Sequence, residues 1–397
     1  MESILPAPAA DARLRSRRRR STALPWYLAA SVFGSTSIIV GLLWDISWHA
    51  SIGRDTFWTP AHLAIYLGGV LAGLSCGWLA LKTTFAGTPE AQAASVRFWG
   101  FRAPLGAWVT IWGALAMLVS APFDDWWHNA YGLDVKIISP PHMVLAAGMI
   151  GIQTGTLLLA VALQNRARAD PEQRRPLSLA YAWTGGILLA MVATVLMEYS
   201  DVNEQHGATF YKVSCAIYPL LLAACARASR LRWPATTVAA TYMLIRAAMT
   251  WILPLFPATP LLAPIYNPID RMWPTPFPLL LVLPALAIDL LMRRLEDRGR
   301  RGRDTLLALA LGAAFLALFL PAQWLFSELL LSPAGRNAFF GADQWPYFSR
   351  PGEWRYVFWN TDTSPVTPAA LGISFLLAAA AARLGLWWGG WMARVQR

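Results

Sequence analysis

Charge is what this chain has least of. Asp, Glu, Lys and Arg make up only 14% of its 397 residues, against roughly 25% in soluble domains. So few charges cannot clothe two or three water-soluble domains. Cysteine is equally scarce. Cys76, Cys215 and Cys225 all sit inside apolar runs and none belongs to a CxxC pair, which excludes a disulfide framework and a thiolate metal site. There is no P-loop, no GxGxxG after a strand-like run and no serine–histidine–acid pattern, so the motif-bearing nucleotide and acyl-transfer classes drop out. Histidine occurs five times, and where those five fall carries most of the information.

What the chain has instead is apolar length. Hydrophobic residues reach 56% and mean hydropathy is +0.42. Apolar runs near 20 residues long match a hydrocarbon core about 30 Å thick. Their limits predict spans at 26–46, 61–82, 104–123, 142–163, 178–198, 209–226, 234–256, 276–292, 305–327 and 368–391. Lipid offers no partner to a free amide, so these spans are read as helices. The expected fold is all-α, a polytopic membrane bundle of about ten transmembrane helices.

The net charge of +11 is an orientation signal. With the N-terminus inside, 25 Lys and Arg fall on inner segments and seven on outer ones, with Arg246 left in mid-span. That bias places both termini in the cytoplasm and the chain in the inner membrane. It does not indicate nucleic acid. The run Arg17–Arg20 suits anionic lipid heads, and no cleavage site after the first span marks a removable signal peptide. Three regions follow: a basic tail 1–25, a four-helix region 26–165, and a six-helix region 166–397. The last carries an aromatic-rich outer loop, 331–367, read as an interfacial cap, with a lid or partner surface as the alternative.

Four of the five histidines lie in two matching stretches on the outer side. Asp45 and Asp124 are 79 residues apart, as are His49 and His128, while His62 and His142 are 80 apart. Each unit reads Asp-x3-His at the end of an outgoing helix, then a loop, then Ser/Thr-Pro-x-His opening the return. A duplicated helical hairpin explains this. Residues i and i+4 share a helix face, so each Asp and His converge. Thr59 and Ser139 suit the N-cap and Pro60 and Pro140 the first helical position. The positive helix end then favours a neutral imidazole at His62 and His142, the form that binds metal. Two imidazoles and a carboxylate leave a coordination position open and suit copper, iron or zinc. Thr275-Pro276 and Thr367-Pro368 show that such helix starts also occur without histidine.

The stretch Asp45-x3-His49, Arg54-Asp55-Thr56, Thr59-Pro60-x-His62 resembles the signature of the copper-binding membrane subunit of the copper-dependent membrane monooxygenases, the particulate methane and ammonia monooxygenases. The resemblance covers about residues 26–165. It implies copper at Asp45, His49 and His62. It also implies a neighbouring copper site at position 124, His128 and His142, where this chain has Asp and the family has Asn. It further implies companion subunits, O2 and a small apolar substrate.

Other residues are candidates for supporting roles. Asp55 and Asp125 are placed behind the ligands as carboxylates that orient them, with Arg54 as a pairing partner for Asp55. Glu198, Asp201 and His206 crowd the next outer turn as further support, a degenerate third repeat, or a solvated loop. Trp48, Trp126 and Trp127 read as interface anchors. Arg246 in mid-span points to a buried ion pair or a transport path. Two functions stand open: a copper monooxygenase subunit, or a membrane metal carrier, transporter or assembly factor without oxidation chemistry. A metal-free structural role for the histidines is the third reading.

Overall fold

The computed structural model describes residues 23–132, 139–167, 170–295, 301–359 and 364–397, with the backbone alone for His128 and for 301–303. Most of the basic tail 1–25 lies outside the described residues. Ten long helices carry the described chain: α1 Trp26–Ser51, α2 Pro60–Ala86, α3 Leu105–Tyr131, α4 Pro140–Arg166, α5 Pro171–Val195, α6 Ala208–Ala228, α7 Pro234–Ile252, α8 Val282–Leu295, α9 Arg301–Leu330 and α10 Pro368–Met392. Among the described residues, nine helices are long and apolar enough to cross a membrane. The protein is an all-α integral membrane bundle. A two-stranded ribbon, β1 Val96–Phe98 with β2 Phe101–Ala103, joins α2 to α3.

The tenth expected span, 276–292, is not one helix. Only Val282–Leu295 is helical, 14 residues, and the chain before it is extended. Pro274, Pro276 and Pro278 remove three amide donors and push the residues between them out of the helical region. The stranded backbone groups find side chains instead. Trp273 accepts from Ser47 Oγ at 2.6 Å and donates to Ser51 Oγ at 2.7 Å. Thr250 donates to the Thr275 carbonyl at 2.9 Å. Leu279 N donates to Tyr242 at 3.0 Å, and Leu280 N to Gln323 Oε1 at 2.9 Å. Irregular backbone at membrane depth is tolerated only when protein satisfies it in this way. At its far end, Asp289 accepts from Ala235 N, Thr236 N and Thr236 Oγ1 at 3.0, 2.8 and 2.7 Å, capping the start of α7. The segment thus runs from the C-terminal end of α1 to the N-terminal end of α7. It crosses the bundle half extended and half helical.

The first four helices form two hairpins, α1 with α2 and α3 with α4. Both close on glycine. A Cβ on Gly34 would lie 2.6 Å from the Gly68 carbonyl, and one on Gly113 would lie 2.6 Å from the Gly148 carbonyl. Gly34 and Gly113 are 79 apart, and Gly68 and Gly148 are 80 apart. The offsets seen among the aspartates and histidines thus recur in the helix contacts. In the first hairpin Gly41, one turn before Asp45, presses on Ala61 and Ile65, its Cβ position 2.9 Å from both the Ala61 carbonyl and Ile65 N. Elsewhere Gly385 and Gly389 of α10 meet the carbonyls of Leu220 and Ala224 on α6, the close small-residue packing common between membrane helices.

The loops after α7 and α9 fold over the C-terminal end of α1. Leu261 N donates to the Ile52 carbonyl at 2.9 Å, and Tyr347 N to the Ala50 carbonyl at 3.1 Å. Gly53, at φ +83°, leaves room for the Tyr347 hydroxyl. Within its described part, the aromatic loop lies against the C-terminal end of α1 through Tyr347.

Gly41→Ala is expected to destabilise the bundle by about 1–3 kcal/mol, because a backbone carbonyl and amide block the new methyl. Gly77→Ala, with nothing within 4 Å of its Cβ position, should be neutral or stabilising by about 0.4–1 kcal/mol. Thermal unfolding in detergent compares them; equal midpoints would contradict the close packing.

Candidate metal centre

The mouth of the first hairpin gathers two carboxylates and two imidazoles. Asp45 and His49 lie one turn apart at the end of α1. His62 lies in the first turn of α2, after Thr59 and Pro60. Thr59 is the N-cap residue, but its hydroxyl does not cap the helix as expected. It accepts from Thr56 N at 2.8 Å and closes the preceding turn. Trp48 Nε1 donates to the Arg54 carbonyl at 2.9 Å, fixing the other side of the loop.

That loop delivers Asp55 directly into the site. Asp55 was expected in a supporting position, paired with Arg54. Instead its Oδ2 lies 3.4 Å from His49 Nε2 and 3.5 Å from His62 Nε2. Asp45 offers Oδ1 to His62 Nε2 at 3.1 Å and Oδ2 to His49 Nε2 at 3.9 Å. One ligand atom each from Asp45, His49 and Asp55 lies within 4.8 Å of the other two. His62 joins them through both carboxylates.

These spacings test whether the residues fit a metal. A tetrahedral ion with bonds of about 2.0–2.2 Å holds its donors roughly 3.3–3.6 Å apart, close to the spacings found. His62 Nδ1 lies 2.9 Å from the Thr56 carbonyl. A carbonyl only accepts, so Nδ1 carries the proton and Nε2 turns toward the acids, the usual arrangement of a ligating histidine held from behind. Asp45 Oδ1 is buried and receives no hydrogen bond of good geometry, although His62 Nε2 is 3.1 Å away. Two carboxylates this close repel unless cationic charge lies between them. The residues fit a divalent cation. The site is deep at Asp45 and His62, 18% and 20% exposed, and open at His49, 48% exposed.

The second hairpin repeats part of this. Asp124 Oδ1 lies 3.3 Å from His142 Nε2, and Ser139 and Pro140 open α4 as Thr59 and Pro60 open α2. Ser139, like Thr59, makes no side-chain cap bond. The His128 side chain and residues 133–138 lie outside the described residues. Asp125 accepts from Asn129 at 3.4 Å. Trp126 and Trp127 pack with Phe123 and Tyr131 in an aromatic cluster, mostly edge-on or tilted.

The third turn makes its own cluster. His206 Nε2 lies 3.0 Å from Glu328 Oε1 and packs edge-on against Trp324. Glu328 also accepts from Arg355 at 2.7 Å. Asp201 lines a cavity with Arg246, and Glu198 is exposed beside it. One residue escaped the sequence analysis altogether. Tyr66, one turn past His62, is within electrostatic reach of Asp45, Asp55 and Asp124. Its ring centroid is 6.0 Å from that of His62. The i, i+4 spacing from His62 was the available signal.

Comparison with known protein families, with curated proteins and with solved structures finds no match to this chain. The reading of the site rests on its own chemistry.

The hydrogen bond from His49 holds Asp55 below the ordinary carboxylate range, against the opposing effect of burial. The stability this contributes is complete above about pH 4, the unfolded carboxylate value, and is lost as pH falls through the lower folded value. In chelator-treated protein, Asp55→Asn should lower the thermal midpoint at about pH 6, and the gap should narrow as pH falls below about 4. A midpoint gap that does not narrow on acidification would contradict the pairing.

Proposed function

We propose that this integral membrane protein is a metalloprotein whose first hairpin holds one transition-metal ion through Asp45, His49, Asp55 and His62. The convergence of both imidazoles on both carboxylates, with His62 oriented by the Thr56 carbonyl, carries this reading. Copper is the proposed metal, from the resemblance to the membrane monooxygenases; iron and zinc share the same donor preference. The Lys and Arg distribution supports an outward, periplasmic position for the site.

Bound copper would supply the redox centre for oxidising a small apolar substrate with O2, in concert with companion subunits. The chain's own residues have separate tasks. Asp45 and Asp55 supply the negative charge that retains a divalent ion. The Thr56 carbonyl keeps the proton of His62 on Nδ1. Trp48 holds the loop that carries Asp55. Asp124, His142 and His128 are the proposed second site. There Asp124 adds a charge that Asn would lack.

The half-exposed His49 favours a second reading, a metal carrier or assembly factor that exchanges its ion with a partner. The two readings separate on activity: product formation from a small hydrocarbon or ammonia, against metal uptake into proteoliposomes.

Purified protein should retain about one tightly held metal equivalent at the first site. His49→Ala is expected to remove it, and Asp55→Ala to weaken it by about 10–100-fold, in the range of damage to a metal's immediate surroundings. Elemental analysis after dialysis reads both. Unchanged metal content in His49→Ala would refute the site.

A further inference from the structure

A second buried polar site lies where the extended crossing passes α7, apart from the hairpin carboxylates. Arg246 is only 6% exposed. Its hydrogen bonds are long, Nη1 to Thr194 Oγ1 at 3.4 Å and Nη2 to the Pro276 carbonyl at 3.3 Å. Its Nε has no hydrogen-bond partner among the described residues. A buried guanidinium held this loosely is costly unless negative charge reaches it.

Arg246 lines a partly enclosed cavity of about 10 Å³ with Ser200, Asp201, Tyr242, Phe277 and Leu279. That is roughly the space of one water-sized occupant. Tyr242 accepts from Leu279 N at 3.0 Å and keeps its own hydroxyl proton to donate. The walls supply a cation, a hydroxyl donor and apolar carbon. They suit a single weakly hydrated monatomic anion, which enters as the loosely held Arg246 side chain gives way. Asp201 shares the cavity and feels Arg246 electrostatically without an ion pair to it.

We propose that this cavity is a proton-coupled halide site, in which Arg246 is balanced either by the ionised Asp201 carboxylate or by a chloride ion beside the protonated acid. No bond is made or broken beyond the O–H of Asp201. Each anion that enters brings one proton onto that carboxyl, and each that leaves releases one. The groups facing Asp201 support the exchange. Glu198 and Glu204 on its own turn disfavour its ionised form and Arg246 on α7 favours it. Tyr242 faces it from α7, and the extended crossing contributes a carbonyl and apolar atoms. Burial and the two glutamates push Asp201 up to about 6, so the exchange falls within an accessible pH range. The site stands independently of the metal centre.

Chloride added to weakly buffered protein in detergent at about pH 6 tests this, with gluconate as the control anion and a pH indicator as the readout. Wild type should take up protons with chloride and not with gluconate. Its chloride affinity should fall about tenfold per pH unit above roughly pH 6, the linkage for one proton. Asp201→Asn should bind chloride without proton uptake and with affinity flat from about pH 5 to 8, and Arg246→Gln should bind none. Should Arg246→Gln fail to fold, Arg246→Lys should keep chloride-linked uptake. Absence of uptake in wild type, which leaves a trapped water as the sole occupant, overturns the proposal. So does uptake that persists in Asp201→Asn, or chloride binding that Arg246→Gln leaves intact.

Discussion

Close backbone contact between helices is the constraint on which the rest depends. Lipid gives helices no hydrophobic reason to associate, so the hairpins must be held by packing. Gly34 against Gly68 and Gly113 against Gly148 let the backbones touch. Gly41 on Ala61 and Ile65 sets the last contact before the mouth. With α1 and α2 fixed there, Asp45, His49 and His62 have no freedom to splay. The loop places Asp55 beside both imidazoles.

The same rule about unpaired backbone explains the broken crossing. Three alternating prolines forbid a helix at 274–278, and Ser47, Ser51, Tyr242, Thr250 and Gln323 take over the hydrogen bonding that a helix would have supplied. Those polar side chains come from α1, α7 and α9. The extended segment therefore ties together helices of the two halves of the chain. The price is a polar seam beside Arg246, and the small cavity lies on that seam.

Much of this was legible in the residues. Run length gave nine of the crossings closely, and the 79- and 80-residue offsets placed the aspartates and histidines at two hairpin mouths. The i, i+4 rule brought Asp45 and His49 to one face. Asp55 was not legible as a direct member, because no periodicity governs a loop and its reach depends on the Trp48–Arg54 clasp. The 276–292 run passed for a helix on apolarity alone, although its proline spacing argued against one. Asp201 and His206 read as support for the hairpin sites or as a solvated loop, but the groups they face, Arg246 across a cavity and Glu328 in an ion pair, are distant in sequence and only the fold brings them together.

The central claim is that one ion sits among Asp45, His49, Asp55 and His62. Anomalous diffraction from crystals of the purified protein, recorded on either side of the copper absorption edge, tests it most directly. The account predicts a single strong peak about 2.0–2.2 Å from His49 Nε2, His62 Nε2 and an oxygen of each aspartate. No peak at that position at any first-row metal edge, with the two imidazoles hydrogen-bonded to the carboxylates, would contradict it.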